Sequence, residues 1–249
     1  MSKKFKAIVI DNQNNQFSRN ILELDTSKLK DGNVLVKIDY SSLNYKDALI
    51  LKDGGRIVKD YPFVPGIDFA GVVEESQDNN FKKGDLVILT GFRVGEIYYG
   101  GFSQYANVKS EFLVKAPENL SNHQAMMMGT AGVTALLCAF AIKAREELLL
   151  GDKVNDVLVT GATGGVGSVA VMVLNKMGYN VHAVTGKKDK HEYLKNLGAK
   201  NILDRKEFEG EGKLLEKGIW DGVVETVGGQ TLAKVLAQTK PTGIVAACG

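Results

Sequence analysis

Residues 157–167 read Val-Leu-Val-Thr-Gly-Ala-Thr-Gly-Gly-Val-Gly, an apolar run that ends in a cluster of glycines. An uncharged stretch, Ser168 to Leu174, follows with helical character. A strand that stops in glycines and restarts as a helix is what a dinucleotide-binding turn requires. Gly161 allows the sharp exit from the strand, and Gly164 and Gly165 let backbone N–H groups approach a pyrophosphate. Gly167 allows close packing of the helix, whose N-terminus then faces the phosphates. The spacing Gly161-x-x-Gly164-x-x-Gly167 departs from the commonest form, so the turn needs its surroundings to support it.

Those surroundings alternate. From Val157 onward, strands fit Val157–Thr160, Val181–Val184, Asn201–Leu203, Gly222–Glu225 and Gly243–Ala247. Helices fit Gly165–Met177, Lys190–Leu197 and Gln230–Gln238. Strands separated by helices of this size predict right-handed βαβ units and a doubly wound parallel sheet. Only five strands fit where such a sheet usually has about six. The expectation is an incomplete Rossmann domain whose C-terminal part is missing.

The first half reads differently. Phe5–Ile10, Val34–Asp39, Ile67–Glu74, Asp85–Leu89 and Gln104–Val108 are rich in β-branched and aromatic residues, with glycine and aspartate between them. Few helical patterns interrupt them, which predicts an antiparallel, partly closed barrel. A helix over Asn122–Met128, N-capped by Ser121, and a second from Ala131 to about Glu147 join the halves. The predicted organisation is a β-rich domain over residues 1–125 and a nucleotide-binding domain over 126–249.

Bulk properties exclude several classes. The 249 residues are 44% hydrophobic and 24% charged, with 31 basic against 29 acidic residues. That near balance offers no basic stripe for nucleic acid. Ala125–Ile142 is uncharged and long enough to consider as a membrane span, but Gly129, Thr130, Gly132 and Thr134 dilute it, so a buried helix is expected. The basic start is followed by only a short apolar stretch, so no signal peptide is expected. Cys138 and Cys248 both lie in apolar segments, which predicts buried thiols in a reducing cytoplasm and no disulfide framework.

The choice of dinucleotide is legible in the second strand. An NAD site carries an acid at its end, about 20 residues past the glycines, to accept the ribose 2′-OH. Here the segment is Val184-Thr185-Gly186-Lys187-Lys188, with no acid before Asp189. A hydroxyl, a backbone N–H and an ammonium there suit a 2′-phosphate, so NADPH is predicted. Thr163, Gly164, Gly165, Val166, Gly167, Thr185, Gly186 and Lys187 are the candidate binding residues. Arg205, just past the third strand, is a second candidate cation.

With these features together, the chain resembles the medium-chain dehydrogenase/reductase superfamily, in particular its zinc-free bacterial acrylyl-CoA reductase group, long labelled quinone oxidoreductases. The resemblance rests on Ser41-Ser42-Leu43-Asn44-Tyr45-Lys46-Asp47-Ala48-Leu49, Val64-Pro65-Gly66-Ile67-Asp68-Phe69-Ala70-Gly71 and Met128-Gly129-Thr130-Ala131-Gly132. It continues with Thr160–Ser168, His191-Glu192-Tyr193-Leu194-Lys195 and Ala246-Ala247-Cys248-Gly249. It implies a GroES-like barrel domain beside the Rossmann domain, and homodimers. Zinc-dependent members place Cys at Asn44 and Gly-His-Glu at Gly66-Ile67-Asp68, with a third ligand near Gly129-Thr130. None of these positions holds a zinc ligand of that set here, so no metal is expected.

By the same resemblance, Tyr45 contacts the cofactor, while Asn44 and Asp68 sit beside nicotinamide and substrate. The expected chemistry is hydride addition to the activated C=C bond of acrylyl-CoA or a similar enoyl thioester. Asn44 would offer amide donors; Asp68 would orient Asn44 or a water, or serve as proton donor. From the residues alone, Asn44 also reads as a helix cap and Asp68 as a structural acceptor. NADPH-dependent quinone reduction and non-catalytic NADPH binding are the competing readings.

Overall fold

The computed structural model describes residues 2–14, 16–29, 32–148, 153–210 and 216–249. The chain divides into two compact units, Met1–Thr130 and Ala131–Gly249.

In the first unit, β1 (Lys4–Gln13) and β2 (Gln16–Asp25) form an antiparallel hairpin, in register from Lys4↔Asp25 to Gln13↔Gln16. The main sheet takes β3 (Val34–Tyr40), β4 (Asp68–Ser76), β5 (Leu86–Thr90), β6 (Tyr105–Val108) and β7 (Val114–Lys115) in the order β6-β3-β4-β5-β7, all antiparallel. Val34, Val36, Phe69, Val73, Val87, Leu89, Ala106 and Val108 point their apolar face into one core. Between β3 and β4 runs α1 (Tyr45–Asp53), which ends on Gly54 in the left-handed region, φ 79°. Gly serves there because the C-terminal turn closes only with positive φ.

Helix α2 (Asn122–Leu148) contains one non-helical residue, Gly129, at φ 50°, ψ −158°. That residue divides it where the sequence predicts the break between two helices. α2 is long and apolar enough to cross a membrane by length and composition. Its Ala135, Cys138, Ala139 and Ile142 nevertheless pack into the core of the second unit.

The second unit holds β8 (Asp156–Val159), α3 (Gly165–Lys176), β9 (Asn180–Thr185), α4 (His191–Asn196), β10 (Asn201–Asp204), β11 (Trp220–Glu225), α5 (Gly229–Gln238) and β12 (Thr239–Ala247). All pairs are parallel, in the order β10-β9-β8-β11-β12. Chain order therefore reverses between β8 and β11, and ligands of such sheets bind beyond the carboxyl ends of the strands at that reversal. The five predicted strands are present. β12 starts earlier than predicted, because Thr239 pairs with Trp220 across a bulge before Ile244 resumes pairing with Gly222. Pro241 is tolerated because β12 lies at the sheet edge.

Candidate active site

The first unit gathers a polar cluster around a fully buried carboxylate. Asp68 opens β4 and is 0% exposed. Its Oδ2 accepts from Ser42 Oγ (2.5 Å), Asn44 Nδ2 (2.9 Å) and the Thr130 N–H (2.8 Å), and its Oδ1 from Thr130 Oγ1 (2.5 Å). Four donors match the capacity of an ionised carboxylate. Of the two roles expected for Asp68, these contacts favour orienting Asn44. Gly129 makes the approach possible, since a Cβ there would stand 2.7 Å from Ser42 Oγ and 2.8 Å from Asp68 Oδ2.

Asn44 is the N-cap of α1, and its backbone N–H donates to Asp47 Oδ2 at 2.8 Å. Its side-chain amide nitrogen reaches Asp68 Oδ2 (2.9 Å) and Asp47 Oδ2 (3.2 Å), with Ser42 Oγ at 3.3 Å. Carboxylates on that side fix the amide orientation, nitrogen inward. Both N–H groups are thereby committed, which corrects the expectation that Asn44 donates to a substrate oxygen. What remains to it is its carbonyl oxygen, an acceptor. Tyr45, the next residue, is 82% exposed and leaves its hydroxyl available.

Asp47 is the residue that sequence reasoning missed. It is buried, accepts from Asn44 twice and takes the Ile67 N–H on Oδ1 at 3.0 Å. It thus ties the start of α1 to the chain entering β4. Its spacing from Asn44, cap to third helical position, is a capping-box signature and was readable. Ser42 and Thr130 left no such signal.

Burial holds the Asp47 carboxyl above the usual carboxylate range, with bonds from Asn44 and Ile67 opposing the shift. A group whose folded pKa is raised binds more protons when folded, so its stabilisation is present below the unfolded value and lost as pH rises through the folded one. Asp47→Asn removes that loss. The destabilisation caused by this substitution is therefore expected to shrink as pH is raised from about 4 to about 7. Denaturant unfolding of both proteins across that range checks it; a penalty that grows with pH would contradict the burial argument.

In the second unit, the carboxyl ends of β8, β9 and β11 surround a cavity of about 430 Å³. Thr160, Gly161, Thr163, Thr185, Gly186, Lys187 and Arg205 are among its lining residues, and no lining residue is acidic. Gly161 adopts φ 55°, as the sharp exit from β8 requires. Gly164 and Gly165 are exposed and open to approach. At a helix start the first N–H groups have no intrahelical acceptor, which leaves those of Gly165, Val166 and Gly167 for a ligand. The Val166 side chain packs against the core, so only its main chain is offered. Gly167 sits on the turn itself: a Cβ would collide with the Gly161 carbonyl oxygen and stand 2.7 Å from Ala162 Cα.

At the end of β9, the Thr185 hydroxyl accepts the Lys187 N–H at 3.1 Å. That N–H is therefore not free, while the hydroxyl proton of Thr185 can still donate. Arg205 lies over Gly186, its Nε 3.3 Å from where a Cβ would be, and also pairs with Glu209 at 2.9 Å. Asp189, the first acid after β9, lines a neighbouring cavity instead.

Sequence reasoning also missed the tie between β8 and β11. Buried Glu225 accepts from Thr160 Oγ1 (3.1 Å) and from the N–H groups of Val227 (2.9 Å) and Gly228 (2.9 Å), fixing the wall that carries Val227. Of the histidines, His182 bonds Asp156 at 2.9 Å and Asn201 at 3.2 Å, and His123 packs on Tyr40.

Comparison with known proteins fits this geometry. Residues 30–118 match the alcohol dehydrogenase GroES-like domain family, and residues 165–249 match the zinc-binding dehydrogenase family. The acrylyl-CoA reductase AcuI of Ruegeria pomeroyi is 48% identical over 98% of this chain and 74% of its own. The yhdH oxidoreductase of Salmonella enterica, crystallised with NADP, superposes with a TM-score of 0.91 at 46% identity, over 98% of this chain and 74% of that one. Bacillus subtilis yhfP, crystallised with NAD, gives 0.90 at 41%, with the same coverage.

The zinc in one family's name finds no support in these residues. Ile67 is a buried hydrocarbon, and the Asp68 carboxylate is filled by N–H and O–H donors. Among the described residues, no three His, Cys, Asp or Glu side chains gather as a metal site. Sheet order, glycine turn and relatives agree: the chain belongs to the medium-chain dehydrogenase/reductase superfamily.

Proposed function

We propose that this protein is an NADPH-dependent oxidoreductase that reduces the C=C bond of acrylyl-CoA or a similarly short α,β-unsaturated thioester, without zinc. The observation that carries the coenzyme is the cavity at the ends of β8 and β9, bordered by Lys187 and Arg205 and free of carboxylates. The substrate reading is supported by a relative named acrylyl-CoA reductase that matches over nearly the whole chain.

NADPH, when bound, supplies the hydride. The amides of Gly165, Val166 and Gly167 would take its pyrophosphate, and Lys187, Arg205 and the Thr185 hydroxyl its 2′-phosphate. In the first unit, Asp68 and Asp47 hold the Asn44 amide so that its carbonyl oxygen faces outward as an acceptor. The Tyr45 hydroxyl is then the donor left at this end of α1 for the negative charge that develops on the thioester oxygen. Cytoplasmic location and homodimeric assembly complete the reading, the latter testable by light scattering.

The deciding assay follows NADPH oxidation with acrylyl-CoA, crotonyl-CoA and benzoquinone at matched concentrations. Turnover with the thioesters is expected. Turnover with benzoquinone alone would establish quinone reduction instead, and binding without turnover would establish a coenzyme-binding protein. Within this reading, Lys187→Ala is expected to weaken NADPH binding by about 2 kcal/mol, roughly 30-fold, from one charge-assisted phosphate contact. Its NADH affinity should not move. Titration calorimetry with both coenzymes checks this, and equal losses would place Lys187 outside the phosphate site.

A further inference from the structure

The hairpin of the first unit leaves one strand edge unpaired. On its far side β1 is occupied: the Ile8 N–H donates to the Phe102 carbonyl and the Ile10 N–H to the Phe63 carbonyl, both at 2.8 Å, while the Lys6 carbonyl accepts from the Gln104 N–H at 3.0 Å. Those are the even-numbered residues of β1. Its odd-numbered residues therefore bond β2, and the register Phe5↔Leu24, Ala7↔Leu22, Val9↔Asn20 and Asp11↔Ser18 makes the even residues of β2 their partners. The main-chain groups of Phe17, Arg19, Ile21, Glu23 and Asp25 consequently point away from β1, and among the described residues β2 has no other neighbouring strand. A long unpaired edge is a template for another strand, and proteins that keep one free blunt it with proline, lysine or a bulge. β2 contains neither proline nor lysine, and its register with β1 runs without a bulge.

The outward residues carry their own complement. Under a two-fold axis through Ile21, the antiparallel β2 of a second copy sets Ile21 opposite Ile21, Arg19 opposite Glu23 and Phe17 opposite Asp25. The axis repeats each contact, so a cation meets an acid on both sides of it. Directly opposed unlike charges stabilise a strand pair, and like charges destabilise it. Shifting the axis to Asn20 or to Leu22 shortens the paired stretch and sets Ile21 against a charged residue. Ile21, 72% exposed in the single chain, gains its own copy as an apolar neighbour only in the register centred on it. Glu23 already pairs with Lys4 at 3.0 Å, and Arg19 donates to the Lys52 carbonyl at 3.1 Å. Neither contact uses the main-chain edge, and a carboxylate has room for a second cation.

We infer that the outer edge of β2 is a two-fold interface on which two copies of this chain pair antiparallel about Ile21, joining their hairpins into one sheet in the order β1-β2-β2-β1. The inference names the surface for the homodimeric assembly proposed above and rests on that reading.

Light scattering of the parent protein and of Ile21→Pro tests it. Proline removes an outward N–H and leaves the bonds to β1, so an edge strand tolerates it, while pairing between copies loses its central bonds. The mass of the assembly is expected to halve, with circular dichroism unchanged. Arg19→Glu sets acid against acid and is expected to weaken association about tenfold; adding Glu23→Arg to it restores the parent's affinity. Mild oxidation of Ile21→Cys is expected to link two chains at that position, located by peptide mapping, because opposed Cα atoms of a bonded pair stand about 5.5 Å apart. Glu23→Cys is expected to form no such link, since its two copies lie four residues, about 14 Å, apart along the strands. A monomeric parent would overturn the homodimeric reading and this interface with it. An assembly whose mass neither Ile21→Pro nor Arg19→Glu changes, or that links at position 23 as readily as at 21, would keep the homodimer and overturn the interface at β2.

Discussion

Asp68→Ala is expected to lower kcat about 100-fold, the scale on which small misplacements of reacting groups act, and to cost about 3–5 kcal/mol of stability through loss of the acceptor that four donors share. The four are Ser42 Oγ, Asn44 Nδ2 and both the N–H and hydroxyl of Thr130. Asp68→Asn separates geometry from charge. An asparagine oxygen at the Oδ2 position keeps three of those partners, and the Thr130 hydroxyl can turn to accept from the new amide. Asparagine is therefore expected to recover most of the stability and at least about tenfold of the lost rate. NADPH affinity should change less than kcat in either variant. Denaturant unfolding and steady-state kinetics measure both effects. An asparagine variant as impaired as alanine would mean that the negative charge itself, rather than the positioning of Asn44, is what the site needs.

The second large effect belongs to the glycine turn. Gly167→Ala is expected to cost about 2–3 kcal/mol of stability, as overpacking against rigid atoms does, because its Cβ meets only main chain, the Gly161 carbonyl and Ala162 Cα. Relief requires α3 to move off the turn, which carries the amides of 165–167 away from the phosphates. NADPH affinity should fall by roughly 30-fold or more, the equivalent of about 2 kcal/mol. Gly164→Ala is the contrast. Gly164 has φ −81°, open to any residue, and its Cβ would have only the Gly161 oxygen nearby, at 3.2 Å. That variant should keep its stability within about 1 kcal/mol while losing coenzyme affinity, because the methyl group projects from an exposed position at the helix entrance. If both variants fold normally and bind NADPH as the parent does, the turn does not hold the coenzyme.

What the sequence reveals follows from how each segment is buried. β8 is readable because Val157-Leu158-Val159 is covered on both faces and so forms an unbroken apolar run. The Gly129 break in α2 is equally plain, as Gly129, Thr130 and Gly132 interrupt an otherwise helical stretch. β2 escapes notice because Gln16–Asp25 is mostly exposed, so Arg19, Asn20 and Glu23 blur any alternation; only its pairing with β1 makes it a strand.

The site divides in the same way. The resemblance points to Asn44 and Asp68, and the missing acid points to Thr185–Lys187, yet neither shows how the atoms of these residues are bonded. Which atoms of the Asn44 amide are free depends on two carboxylates, Asp47 of α1 and Asp68 of β4, that the fold brings to it. Likewise the Lys187 N–H is closed by Thr185, a local turn that composition cannot display. Cys248 is expected inside because its neighbours are apolar, and in this structure it is exposed.

The pocket beside Gly186 offers Lys187 and Arg205 to a phosphate on the adenosine ribose. Titration calorimetry of the unmodified protein with NADPH and with NADH tests it most directly. Lys187 and Arg205, the second also paired with Glu209, should make NADPH bind at least about 30-fold tighter, some 2 kcal/mol, at moderate salt. Equal affinities, or a preference for NADH, would mean that the pocket does not hold a 2′-phosphate.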